Sequence, residues 1–237
     1  MKVCIVYIAV TNGVGTADFS SRFVASFHEH PPGVDADFVV CCNGGPLSTE
    51  KYLIFSSLNP TFFNRPNDPG FDISAYQDAA LGPCSNYDAV LWLGESNYFH
   101  RKGWLKRLIE EWDRYGPGMY GPYASNTVRG HMNTSAFFCS PGLVRSYPIR
   151  AHNRQSRMDF EHGENALWRM ASNAGMPTMM VTWDGAWKPR EWRTPKNIIW
   201  RGDQSNCLMW CNHCDNFNNV DMMTRVWISP QWDQPFK

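Results

Sequence analysis

Asp88-Ala-Val-Leu-Trp-Leu-Gly94-Glu95-Ser96-Asn97 is the stretch on which the fold turns. Its apolar run, Ala89 to Leu93, is too short for a helix ahead of Gly94 and carries no polar alternation. It therefore reads as a strand covered on both faces. Glu95 and Asn97 emerge at the carboxyl end of that strand, where the ligand crevice of an open α/β sheet lies. Just downstream, Trp104, Leu105, Leu108, Ile109 and Trp112 share one face of a helix predicted over 102–115.

Upstream, residues 3–10 form a hydrophobic strand ending in the turn Thr11-Asn12-Gly13, and Phe19, Phe23, Val24 and Phe27 mark a helix from about Asp18. A second buried strand runs from Asp37 to Asn43, and Ser48 or Thr49 caps a helix through Leu58. This β-α-β-α opening implies a parallel sheet with a right-handed crossover. Residues 59–71 are expected as a Pro/Asn-rich loop, and Asp72 or Ser74 caps a helix through Ala80. Strands follow at 119–122 and 135–139, a short helix at Pro141, an exposed basic loop at 145–157, a helix over 160–174 ending at Gly175, and a last buried strand at 177–182. The expected architecture is a single α/β domain: a mostly parallel sheet flanked by helices over 1–185, with an irregular carboxyl-terminal extension over 186–237 that acts as a lid on the site.

Charge is balanced, with 22 basic and 22 acidic residues, so no global field draws the chain to nucleic acid or to a membrane. No run approaches the ~18 apolar residues of a membrane span. Eight Cys occur without a signal-peptide pattern at the amino terminus, which points to a reducing, cytoplasmic setting. Cys4, Cys41, Cys42, Cys84 and Cys139 lie in or beside apolar runs and are expected as small buried hydrophobes. The many aromatic residues suit either sugar- and base-stacking surfaces or an aromatic core.

Four pieces carry chemistry in a fixed order: Tyr7-Ile-Ala9-Val10-Thr11; Asn67-Asp-Pro-Gly70-Phe-Asp72-Ile-Ser-Ala-Tyr76-Gln77; Leu91-Trp-Leu-Gly94-Glu95-Ser-Asn97 with Gly103-Trp104-Leu105; and Gly163-Glu164-Asn165-Ala-Leu-Trp-Arg169. In that order they resemble GT-A-fold glycosyltransferases, most of all the large inverting family 2 type. The resemblance implies a GT-A-like, Rossmann-like core and transfer of a hexose from a nucleoside diphosphate sugar, UDP-glucose or another UDP-sugar foremost, to a hydroxyl acceptor. It also implies Mn2+ or Mg2+ held by Glu95, Asn97 and His213. Ala9, Thr11, Asn43, Asp72, Gln77, Gly94 and Arg129 would face the nucleoside and diphosphate, with Arg129 or Lys188 assisting the departing charge, and Glu164 or Glu161 would be the general base.

Two departures weaken the match. The expected Asp-x-Asp is Glu95-Ser96-Asn97, which leaves one carboxylate for a hard cation that prefers carboxylate oxygen. The expected Asp after Gly163-Glu164 is Asn165, an amide that cannot accept a proton, so the base role falls to Glu164, or to Glu161 on the same helical face. Late in the chain, Cys207, Cys211, His213 and Cys214 leave three readings open: His213 completing a metal shell, a structural zinc or iron-sulfur site on the thiols, or a lid of buried Cys and Trp. The acceptor is open as well. Arg145, Arg150, Arg154 and Arg157 in the basic loop could contact the phosphates of a nucleic acid bearing a flipped, hydroxymethylated base, and a saccharide is the other candidate. The competing class is a metal-independent or non-catalytic sugar- or nucleic-acid-binding module on the same fold.

Overall fold

The computed structural model describes residues 1–11, 16–66, 71–126 and 129–228. The turn at 12–15 and the 67–70 part of the second motif lie outside the described residues.

The opening follows the expected order: β1 (Val3–Val10), α1 (Thr16–Glu29), β2 (Asp37–Asn43) and α2 (Thr49–Ser56), the last capped by the Ser48 hydroxyl on the Lys51 amide. Residues 59–71 depart from the expected loop, because β3 (Thr61–Arg65) pairs in parallel with β2 there. Thr61-Phe62-Phe63 suits a pleated, half-buried edge despite the flanking prolines. Arg65 then locks that edge inward, its guanidinium reaching Asp78 at 2.9 Å, Asn43 Oδ1 at 2.6 Å and Ser74 Oγ at 3.2 Å.

Next come α3 (Phe71–Leu81), β4 (Ala89–Leu93), α4 (Trp104–Tyr115), β5 (Met119–Gly121), a small hairpin of β6 (Ala124–Ser125) and β7 (His131–Met132), and β8 (Ala136–Cys139). Helix α5 (Pro141–Arg145) follows, and then α6 (Arg154–His162), α7 (Leu167–Asn173), β9 (Thr178–Val181) and β10 (Ala186–Trp187). The eight strands of the main sheet are ordered β10-β9-β5-β8-β4-β1-β2-β3. Only β8 and β10 run against the rest, so the sheet is mostly parallel as expected. The strand order reverses between β1 and β4, which pair in parallel side by side, and this reversal is the topological switch point.

The single helix expected over 160–174 is two helices. Helix α6 starts earlier, at Arg154, because Asn153 and Ser156 form a capping box, so the basic loop ends there. It stops at Gly163, which is extended at ψ 169° and whose added Cβ would lie 2.5 Å from the Asp159 carbonyl oxygen. Glu161 and Glu164 therefore do not share a helical face.

The strand core is packed with aromatic rings. Phe99 stacks on Trp104 at 3.7 Å and Tyr7 packs on Phe23 at 4.2 Å, while Trp92 meets Tyr76 and Phe137. All eight cysteines are free and buried, which for Cys4, Cys41, Cys42, Cys84 and Cys139 is the place expected of small hydrophobes. The extension, with α8 (Asn212–Asn219) and α9 (Met222–Ile228), packs on the core through bridges from Trp210 to Tyr98 and from Cys207 to Thr182. Among the described residues no helix is long and apolar enough to cross a membrane.

Candidate functional site

A cleft of about 330 Å³ opens at the switch point, lined by Ile8, Val10, Asn43, Phe71, Asp72, Gly94, Glu95 and Arg157. Three strand ends build its floor. Ile8 and Val10 close β1, Asn43 closes β2, and Gly94 and Glu95 follow β4. Gly94 fits because its amide donates to the Ser135 carbonyl at 2.7 Å and an added Cβ would lie 3.3 Å from that same oxygen. The walls are Asp72 in the first turn of α3 and Arg157 on α6, ion-paired at 3.0 Å.

Glu95 is the carboxyl of this floor. Its Oε1 accepts the Val10 amide at 3.3 Å, and the Tyr7 hydroxyl donates to its backbone carbonyl at 2.6 Å. Burial pushes its pKa up to about 7, against the opposing pull of the Lys51 ammonium and the Val10 amide. Lys51 is itself buried and donates to the Val10 carbonyl at 2.7 Å. A carboxyl that titrates near neutrality thus sits among a buried ammonium, a guanidinium and amide donors, which together can receive an anion. The sequence did not single out Lys51, since a lysine in the first turn of a helix carries no motif. Asp72 is pushed up by burial and held back by Arg157.

The other expected site residues scatter. Asn43 lines the cleft, its carbonyl accepting from the Thr11 amide at 3.1 Å, which fixes Thr11 at the rim. Ala9 is fully buried one residue out of phase with Ile8 and Val10, so the pleat turns it to the opposite face. Gln77 is taken up elsewhere: its amide nitrogen donates to the Ile149 carbonyl at 2.9 Å and its oxygen accepts the Ala151 amide at 3.0 Å. Arg129 has Arg169 as a charged neighbour and is not among the residues that line the cleft. Lys188 borders a separate hollow with Tyr115 and Met176. Glu164 is exposed in the break after α6 with Arg169 as a charged neighbour.

Of the residues expected to hold a cation, Glu95 lines the cleft, whereas Asn97 and His213 do not. Asn97 is buried, and its amide nitrogen donates to the Gly94 carbonyl at 2.9 Å and the Ser135 carbonyl at 2.7 Å. Those bonds shape the turn after β4 and turn the side chain away from the cleft. His213 lies against Trp200 and Cys211, whose hydrogen bond raises the imidazole pKa. Glu95 alone remains, beside an ammonium, and one carboxylate with a cationic neighbour is a poor host for Mn2+ or Mg2+. The late thiols are all buried together, and neighbouring thiols with burial push the pKa of Cys211 and Cys214 up, chiefly through Cys214 for Cys211 and through Cys207 for Cys214. The Ser96 hydroxyl donates to Asn212 at 2.9 Å, which ties the extension to the segment carrying Glu95.

The arginines of the basic segment are also occupied. Arg145 donates to the Ala80 carbonyl and Arg150 pairs with Asp78, so these two clamp α3 rather than stand open to a phosphate backbone, while Arg157 pairs with Asp72 at the wall of the cleft.

A second polar cluster lies one turn further along α6. Glu161 Oε1 is 3.9 Å from His131 Nε2, and its Oε2 is 3.4 Å from His162 Nε2. Sequence reading found Glu161 but not its partners, because His131 reaches it only through the β6-β7 hairpin.

No protein-family model matches the chain, and no curated protein matches it. Solved structures do resemble it. S. aureus TarS is 10% identical at a TM-score of 0.46, over 63% of this chain and 30% of that one. HddC from Yersinia pseudotuberculosis is 13% identical at 0.44, over 68% and 84%. A cytidylyltransferase from Leptospira borgpetersenii is 14% identical at 0.46, over 64% and 68%. The chain thus spans less than a third of the TarS chain, and TarS 1-349 has been solved in complex with UDP and with UDP-GlcNAc. At these identities and TM-scores the likeness stays at the layout of the sheet, and no residue role is carried across it.

Proposed function

We propose that the protein is a glycosyltransferase that moves a hexose from a nucleoside diphosphate sugar, a UDP-sugar foremost, to a hydroxyl acceptor with inversion at the anomeric carbon. The observation that carries this reading is the switch-point cleft, where Glu95, with a pKa of about 7, sits beside Lys51 and Arg157. An anionic diphosphate suits this floor. Arg157 and Lys51 offset its charge, and Glu95 in its neutral form donates a hydrogen bond to a phosphate oxygen. Thr11 and Asn43 at the β1 and β2 ends, with Asp72, are assigned to the nucleoside. This arrangement supplies cationic stabilisation of the leaving group without a metal at the strand end.

The transfer then needs one proton acceptor at the incoming hydroxyl. Glu161 is committed to the Thr134 amide at 2.9 Å, whereas Glu164 is exposed, so Glu164 is assigned the base. It takes the hydroxyl proton as the acceptor oxygen bonds to the anomeric carbon and the nucleoside diphosphate departs with the electron pair of the broken bond. A saccharide is the favoured acceptor, since of the four arginines of the basic segment Arg145 and Arg150 are held by α3 and Arg157 is assigned to the donor diphosphate.

A screen of UDP- and GDP-hexoses for release of nucleoside diphosphate tests the reading. Glu164→Gln should keep donor affinity and lose transfer by at least ~100-fold. The second reading is a non-catalytic sugar-binding module, favoured by the misfit of the triplet to a cation. Donor binding by calorimetry without turnover on any acceptor would select it.

A further inference from the structure

We propose that His131, Glu161 and His162 form a binding site for a first-row divalent transition metal of the zinc class, separate from the Glu95 cleft. The inference does not depend on the transferase reading. Among the described residues this is the one place where three His, Cys, Asp or Glu ligand atoms lie within 4.8 Å of one another. The two imidazole rings are 3.9 Å apart, centre to centre, and Glu161 lies between their Nε2 atoms at 3.9 and 3.4 Å. The three ligand atoms lie within 4.8 Å of one another, and a tetrahedral zinc with bonds of about 2.1 Å needs them roughly 3.4 Å apart, so the side chains close the set by moving in by at most about 1.4 Å.

A second observation is the support behind the ligands. Metal-binding imidazoles characteristically donate their other ring nitrogen to a carbonyl or carboxylate, which fixes tautomer and aim. His131 does so: Nδ1 lies 2.9 Å from the Arg129 carbonyl, which assigns the proton to Nδ1 and directs the Nε2 lone pair at Glu161. Glu161 is held in turn by the Thr134 amide at 2.9 Å. The side chains are shielded, at 3% exposure for His131 and 13% for each of the other two. An ordinary surface His-Glu contact has neither the burial nor the oriented partner.

The donor set decides the metal class. Two imidazole nitrogens and one carboxylate oxygen suit zinc, iron(II) or cobalt(II), whereas magnesium demands octahedral oxygen. Three protein ligands also leave a fourth position for water or a substrate oxygen, the arrangement of an open site. Arg157 precedes Glu161 by four residues on α6, so the site lies about one helical turn from the cleft.

The test uses the full chain, stripped with chelator and titrated with zinc and then cobalt chloride. One equivalent of zinc should survive gel filtration, and cobalt should give visible d–d bands without thiolate charge transfer. His162→Ala and His131→Gln should each weaken zinc binding by at least ~100-fold. Melting of the metal-free variants shows whether they fold. If they do not, the wild-type cobalt spectrum decides alone. No retained zinc, unchanged affinity in both folded variants, or a thiolate band indicating Cys207, Cys211 or Cys214 would each overturn the proposal.

Discussion

Glu95 Oε1 accepts the Val10 amide at 3.3 Å, tying the turn after β4 to the end of β1 across the point where the strand order reverses. That tie holds a half-buried carboxyl at the floor of the cleft, where burial moves its titration to about pH 7. Donor affinity should therefore depend on pH with a definite sign. Below 7 the neutral carboxyl donates to a phosphate oxygen, and above 7 the carboxylate repels it. Calorimetry with UDP should show the Kd rising with pH above 7, toward about tenfold per unit if the neutral form alone binds. Glu95→Gln, a permanent neutral donor, should flatten that profile.

The same shift has a consequence for stability. The folded pKa of about 7 lies above the reference value of 4.5, so the folded state holds this proton where the unfolded chain releases it. The contribution of Glu95 is thus present below 4.5 and lost as pH rises to 7. Urea denaturation should find Glu95→Gln more stable than wild type at pH 8, with the difference shrinking toward pH 5. A constant difference across that range would mean that the carboxyl titrates normally.

The sheet was legible because its central strands are plain. Ala89–Leu93 and Val3–Val10 are apolar runs bounded by turn residues, and their parallel order followed from the helices between them. Strand β3 was not, because Pro60 and Pro66 flank it and each of its residues pairs with one 22 positions upstream. The break at Gly163 was hidden for a different reason. A helix-period pattern runs through 160–174, and only the close approach of the Asp159 carbonyl reveals where it stops. At the site, Glu95 and Asp72 were readable as polar residues at element ends. Lys51 and His131 were not, since each reaches its place through tertiary packing.

Tyr7 supports the floor from below. Its ring is fully buried and its hydroxyl donates to the Glu95 carbonyl at 2.6 Å. Tyr7→Phe preserves the packing on Phe23 but leaves that carbonyl without this donor. The expected cost is about 1–2 kcal/mol, or roughly 2–8 °C in Tm for a chain of this size. Thermal melting checks it.

Two glycines at the two ends of β5 should differ sharply. A Cβ on Gly118 would press into the Pro177 carbonyl, the group that accepts the Met119 amide at 2.8 Å where β5 meets β9. A Cβ on Gly121 clashes with the Met132 side chain, Sδ at 2.8 Å and Cγ at 2.9 Å, and meets the Ala136 carbonyl only at an ordinary 3.5 Å. Backbone cannot yield cheaply, whereas a methionine side chain can change rotamer. Gly118→Ala should cost about 3 kcal/mol and Gly121→Ala about 1 kcal/mol in chemical denaturation.

The Asp72–Arg157 pair separates a structural role from a binding one. At 41% exposure for Arg157 and 20% for Asp72, the ion pair itself contributes about 1 kcal/mol or less. Stability alone is therefore a weak readout, since both Arg157→Met and Asp72→Asn should lower Tm slightly. Donor affinity is the sharper one, because the two substitutions change the charge of the cleft in opposite directions. Arg157→Met removes a cation and leaves the Asp72 carboxylate facing the diphosphate, so affinity should fall by at least about tenfold, the loss of one charge-assisted hydrogen bond. Asp72→Asn removes an anion and frees the guanidinium to turn toward the phosphates, while its amide oxygen can still accept from the nucleoside, so affinity should hold or rise. Equal losses in both variants would mean that the pair serves only to dock α3 on α6, and that the diphosphate lies elsewhere.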